Sequence, residues 1–314
     1  MFEDKRSKKV ILVAHCVLNQ NAKIDRCAHY PGAMKEVVHI LVDAGVGIIQ
    51  MPCPELGYLG LDRQVDRGVL STVESEDSRV AERMMENQGN ARCHAIATDL
   101  VYQVEEYRKH GFAVVGIVGI NGSPTCGVET TWAKNREEQG AGIFVQILDE
   151  ECHRKNISLP LRGIKAHEPQ KAIAAVLELL GNAFLNEFTA WASAQCDIRA
   201  VALVGSYARN AATSTSDIDL VVITNCPDNY LRDLGWTRQF GQVRRQQIED
   251  YGKLISVRVW YADGREVEYG IADESWAAVP LDAGTRRVIS DGIRVLFKRE
   301  PLLSHLEIGN RHRG

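Results

Sequence analysis

Gly205-Ser206-Tyr207-Ala208-Arg209, followed by Ser216-Asp217-Ile218-Asp219-Leu220-Val221-Val222, is the stretch on which the reading of this chain turns. The apolar run Ala200-Val201-Ala202-Leu203-Val204 leads into it and predicts a buried strand that ends at a Gly-Ser turn. Asp219 to Ile223 predicts the next strand. In a strand, residues two apart point to one face, so Asp217 and Asp219 present their carboxylates together. Converging carboxylates suit a hard divalent cation, Mg²⁺ or Mn²⁺, that also touches phosphate oxygens. Gly205 lets a phosphate approach backbone N–H groups, and the Ser206 hydroxyl adds a donor.

The order G-S, a short gap, then D-x-D resembles the minimal nucleotidyltransferases of the polymerase-β-like superfamily, over about the last third of the chain. That resemblance implies a nucleoside triphosphate substrate, with Gly205, Ser206 and Arg209 on the nucleotide side and Asp217 and Asp219 holding metal. It also calls for a third carboxylate from a neighbouring strand. Leu254 to Tyr261 and Arg265 to Ala272 flank Asp263-Gly264, a hairpin signal. Glu268 on the returning strand is the candidate, with Glu266 as runner-up. It would complete a two-metal site or deprotonate the attacking hydroxyl.

Working outward, 314 residues are long for one core and natural for two domains. The content of 45% hydrophobic and 25% charged residues fits a globular chain. A net charge of −4 leaves no strong basic field for holding nucleic acid nonspecifically. The longest apolar runs are about seven residues, short of the ~20 a membrane span needs. The leading residues do not read as a signal peptide. The expectation is a cytoplasmic chain with no membrane partner, in which eight cysteines point to metal, catalysis or burial rather than disulfides.

The first half alternates strands and helices: strands at 10–14, 46–51 and 113–120, helices at 31–44, 76–110 (broken near Gly89) and 143–154. This predicts a parallel α/β sheet, followed by an α+β nucleotidyltransferase-like domain, with the division at 1–165 and 166–314. A helix over 170–194, with a stripe from Ile173 to Trp191, reads as core. The charged segment from Tyr230 to Tyr251 reads as a solvated helix face, with triphosphate or RNA contact by Arg238, Arg244 and Arg245 as the other reading.

Cys16, Cys53 and Cys126 each follow a strand of the first half. In parallel sheets the carboxyl ends of strands share the edge where ligands bind, so the three cysteines are expected to meet. Three thiolates fall one short of a closed tetrahedral zinc site or a fully cysteine-ligated cluster, which leaves a position open. Spacing alone leaves a metal site and three unrelated buried thiols both open. Cys93 and Cys152 fall in helices and read as inert; Cys27 is ambiguous.

The segments His15-Cys16-Val17-Leu18-Asn19, Pro52-Cys53-Pro54-Glu55 and Ser123-Pro124-Thr125-Cys126-Gly127 resemble the TudS-like thiouracil desulfidase family, over roughly residues 8–165. The resemblance implies a [4Fe-4S] cluster on Cys16, Cys53 and Cys126, whose remaining iron takes the sulfur of a thiolated base such as thiouracil or thiouridine. It makes Ser123 a candidate proton donor or substrate contact and Glu55 the candidate acid, with Asp25 second. After Cys16 the chain departs from that family's commoner glycine-rich pattern. Together the resemblances imply a desulfidase acting on a thiolated nucleobase, nucleotide or thio-modified RNA, tRNA included, fused to a nucleotidyltransferase. The alternatives are adenylylation of a small molecule or protein by the second domain alone, beside a structural or zinc-bearing first domain, and a non-enzymatic sensor.

Overall fold

The computed structural model describes residues 6–65, 72–209, 211 and 216–299. Residues 1–5, read above as no signal peptide, lie outside them. The chain divides into two compact units, Met1–Leu180 and Gly181–Gly314.

In chain order the first unit contains β1 (Lys9–Ala14), α1 (His15–Leu18), α2 (Lys35–Asp43), β2 (Gly47–Met51), α3 (Pro54–Leu59), α4 (Val73–Met85), α5 (Asn87–Lys109), β3 (Ala113–Ile120), β4 (Thr130–Ala133), β5 (Arg136–Gln139), α6 (Ile143–Arg154) and β6 (Leu161–Ile164). Four strands form a parallel sheet in the order β2-β1-β3-β6. Residues 11–14 of β1 and 117–120 of β3 are buried, as strands covered on both faces require. Their carboxyl ends therefore open onto one edge. The helix expected over 76–110 is two helices, and the break falls at Glu86, whose extended backbone ends α4. A Cβ at Gly89 would collide with Arg83 and Met84, so the second helix can start only close against the first. The expected helix at 31–44 begins at Lys35, and Pro31 lies outside it.

α7 (Pro169–Ala194) follows. Among the described residues it is the one helix long and apolar enough to cross a membrane by length and composition. Its stripe is core: Val176, Leu179, Phe184, Leu185, Phe188 and Ala192 are all buried.

The second unit continues with β7 (Ile198–Val204), α8 (Gly205–Ala208), β8 (Ile218–Thr224), α9 (Asp228–Leu231), β9 (Val243–Asp250), β10 (Ile255–Tyr261), β11 (Glu266–Ala272), α10 (Ala283–Ser290) and β12 (Ile293–Lys298). Six strands form one sheet, β12-β7-β8-β11-β10-β9, in which only β8 and β11 run parallel. On one face Phe184, Phe188, Val201, Leu203, Leu220, Val222, Val257 and Tyr269 pack together. On the other, Ala202, Val221, Ile223 and Trp276 form a smaller core. Positions 217 and 219 share that second face with even-numbered residues of β10 and β11. The Tyr230–Tyr251 segment is not a helix face: a 3₁₀ turn at Leu234–Phe240 leads into β9, and Arg244 and Arg245 stand on a strand.

Candidate functional site

The parallel pairing of β8 with β11 sets Asp219 directly opposite Glu268. One oxygen from each of Asp217, Asp219 and Glu268 falls within 4.8 Å of the others. Among the described residues this is the one such group of three His, Cys, Asp or Glu ligands. Three carboxylates at that spacing are hard-donor ligands for a divalent cation. Burial, then the Asp217 and Glu268 carboxylates, push Asp219 up to about 7, while Arg258 and Arg209 oppose that rise. Crowded carboxylates disfavour a second and third charge until a cation joins them.

Glu268 rather than Glu266 joins the triad. Arg258, opposite Glu268 on β10, donates to Glu268 Oε2 at 2.6 Å and to Glu266 Oε1 at 2.9 Å. Gly205 adopts φ +67°, and a Cβ there would run into the Asp219 carboxylate. Ser206 Oγ is buried without a hydrogen-bond partner among the described residues. Arg209 donates to the Asp291 carbonyl at 2.8 Å. Gly205, Ser206, Arg209 and the triad all line one cavity of about 880 Å³, with Tyr251, Lys253, Trp276 and Thr285 across from them. The volume suits a nucleotide-sized ligand. Sequence reasoning missed Arg258: its place between Val257 and Val259 puts it on the less buried face of its strand, but only the pairing with β11 sets it opposite Glu268.

In the first unit, Cys16, Cys53, Cys126, Ser123 and Glu55 line a separate cavity of about 460 Å³. Burial raises the Cys16 thiol to about 11 and the Cys53 thiol to about 12. Cys126 is pushed up by burial and then by Cys53 and Cys16 beside it. The three thiols thus meet at the sheet edge, though not within the span that joins the carboxylates. Ser123 Oγ accepts from the Cys126 and Thr125 amides at 3.0 and 3.2 Å and shapes the turn that delivers Cys126. Glu55 Oε2 accepts from Arg63 Nε at 3.2 Å. Arg63 is itself buried, donates to the Ala22, Gly60 and Leu61 carbonyls, and lies 3.7 Å from Cys53 Sγ. Asp25 is exposed and does not reach the cavity. Cys27 does line it, whereas Cys93 and Cys152 are buried in α5 and α6. Asp77 is a lining residue the sequence did not mark; burial, then Glu55, push it up to about 7.

Comparison with known proteins gives the class first. Residues 189–272 match the family model of the nucleotidyltransferase domain, so the second unit carries such a domain. Among solved structures, an aminoglycoside 6-adenyltransferase from Bacillus subtilis aligns at 14% identity with a TM-score of 0.27. The alignment covers 35% of this chain and 38% of that one, so the chain spans well under half of its length. A stretch of 152 residues is 32% identical to the uncharacterized protein MJ0003 of Methanocaldococcus jannaschii, covering 48% of this chain and 83% of that protein. The chain belongs to the family of that protein. None of these matches names a desulfidase.

Proposed function

We propose that the protein is a metal-dependent nucleotidyltransferase that moves a nucleoside monophosphate from a triphosphate to a hydroxyl on a small molecule or protein. The observation that carries this reading is the clustering of Asp217, Asp219 and Glu268 beside Gly205 and Ser206 in one cavity. The donor set fits Mg²⁺ or Mn²⁺: oxygen only and acidic, with Asp219 pushed up by burial and by the two neighbouring carboxylates. When bound, such a metal supplies neutralisation of the charge that develops on the phosphates. The chain's own groups do the rest. The bare backbone at Gly205 and the free Ser206 hydroxyl cradle the β- and γ-phosphates. The acceptor oxygen bonds to the α-phosphorus as the bond to the β-phosphate breaks, and pyrophosphate leaves. Glu268, held by Arg258, takes the acceptor proton. Incubation with α-labelled ATP and Mg²⁺ should transfer label to an acceptor, and Asp217→Ala should reduce the rate by ~10³-fold. Equal transfer by wild type and Asp217→Ala would sink the assignment.

A second reading rests on the meeting of Cys16, Cys53 and Cys126 with Ser123 and Glu55 at one sheet edge. Three soft donors fit an iron–sulfur cluster with one iron left unligated by protein. When bound, that cluster supplies an open iron for the sulfur of a thiolated nucleobase or nucleotide. The Arg63 pair aims Glu55 at the cavity, and Ser123 holds the Cys126 turn. Anaerobic purification should yield about four irons per chain, lost in Cys16→Ala, Cys53→Ala and Cys126→Ala. Zinc, or no metal, would remove this reading and leave the nucleotidyltransferase standing. We place both activities in the cytoplasm, with the first domain at 1–165 and the second at 166–314.

A further inference from the structure

β9 ends the six-stranded sheet; among the described residues only β10 pairs with it. It runs eight residues, Val243-Arg244-Arg245-Gln246-Gln247-Ile248-Glu249-Asp250. Arg244, Arg245, Ile248 and Asp250 are exposed, Ile248 by 52%. A long edge strand presents a row of free backbone N–H and C=O groups, which proteins usually blunt with a proline, a lysine or an inward charge. β9 has no proline and no lysine. Its charges are segregated instead, with two arginines near the start and two acids at the end.

That order is self-complementary when the strand is reversed. We propose that β9 pairs antiparallel with β9 of a second copy of this chain, about a two-fold axis at Gln247, so that two copies share one continuous sheet. In this register Arg244 stands opposite Asp250 of the other copy, and Arg245 opposite Glu249, so four cross-strand ion pairs form around the axis. Gln246 meets Ile248 and covers it. A shift of two residues sets Arg244 against Ile248 and loses the pairs. A shift of one turns the helix-covered face of one copy against the open face of the other. Parallel pairing sets like charges side by side, which is unfavourable.

Two local contacts prepare the surface. Arg245 lies over the Trp260 ring, 4.5 Å from its centroid, which holds the guanidinium on the same face as the carboxylate triad. Glu249 is steadied by the Tyr251 hydroxyl at 2.6 Å and lies 4.0 Å from Arg258. Pairing therefore brings Arg245 of one copy beside Glu249 of the other, at the rim lined by Tyr251. It draws Glu249 off Arg258 and leaves that guanidinium to Glu266 and Glu268. The inference concerns assembly and stands whether or not the chain transfers nucleotides.

Sedimentation or light scattering on the full chain should give twice the 34.9 kDa chain mass, falling toward the monomer as salt screens the pairs. Arg244→Glu with Arg245→Glu should be monomeric, and so should Glu249→Arg with Asp250→Arg. Mixing the two variants restores opposite charges across the strand pair and should recover the dimer mass. The recovered dimer also shows that both variants fold. For either variant that does not fold, Arg244→Glu and Asp250→Arg alone, both at exposed positions, replace the double changes. A wild type that stays monomeric at high concentration overturns the proposal, as does a dimer indifferent to both reversals. Folded variants that fail to assemble when mixed overturn it as well.

Discussion

The carboxylate cavity of the second unit and the thiol cavity of the first both crowd like groups together, but they meet the crowding differently. Around the carboxylates, Arg258 and Arg209 stand as cations within reach and oppose the rise of Asp219 to about 7. Around the thiols Lys23 and Arg63 also oppose the rise, yet burial dominates and Cys16, Cys53 and Cys126 all stay well above an ordinary thiol. A cation can enter the first site by displacing little more than one proton and an arginine. Any soft metal at the thiols would first have to displace their protons, so such binding would depend on pH. Two cavities at the ends of β-strands thus differ in what they ask of a ligand. One offers clustered carboxylates, the other clustered protonated thiols.

Three measurements press on this contrast. The largest effect is expected at Arg63, the single buried cation of the thiol site. Arg63→Met leaves Glu55 buried and unpaired and should cost ~3–5 kcal/mol in denaturant unfolding of the first unit. Retention of wild-type stability would show that the thiol cavity does not depend on a cation and would widen the difference. Next, Mg²⁺ at about a hundredfold over its Kd should stabilise the second unit by ~2.7 kcal/mol. Asp219→Ala should abolish that gain, and a gain of the same size in Asp219→Ala would mean that magnesium binds elsewhere. The smallest effect is at Asp77. Its folded pKa of about 7 exceeds the ordinary 3.8, so the folded form holds its proton more tightly than the unfolded form does. That stability is complete below pH ~4 and is lost as pH rises through 7. Asp77→Asn should therefore stabilise the first unit by ~1–2 kcal/mol at pH 8, after discount for partial exposure, and leave it unchanged at pH 4. A gain at both pH values would assign the effect to packing rather than to charge.

Much of this contrast could be read from the chain because the relevant residues follow strands with strong signals. The runs at 113–120, 200–204 and 219–223 are apolar and β-branched, so the strand ends beside Gly205 and Asp219 were placed to within a residue or two, and Cys126 was placed in the loop after the first run. Helix α6 and the Asp263-Gly264 hairpin were legible for the same local reasons. What was not legible depended on pairing. β9 carries clustered charge with few apolar residues, and only its seat beside β10 makes it a strand. Arg63 is buried by groups from Ala22, Glu55 and Gly60, partners no local pattern reveals. β12 joins β7 antiparallel from the far end of the chain, a long-range choice. Arg258 became visible once register placed it opposite Glu268.

Gly205 carries a final consequence. Its left-handed backbone and the Asp219 carboxylate occupy the space any side chain would need. Every single-base missense change in a glycine codon adds at least a Cβ. At this position each such change displaces the aspartate as well as straining the turn. As a genetic target, codon 205 therefore has no conservative neighbour. Variation in a population should stop there.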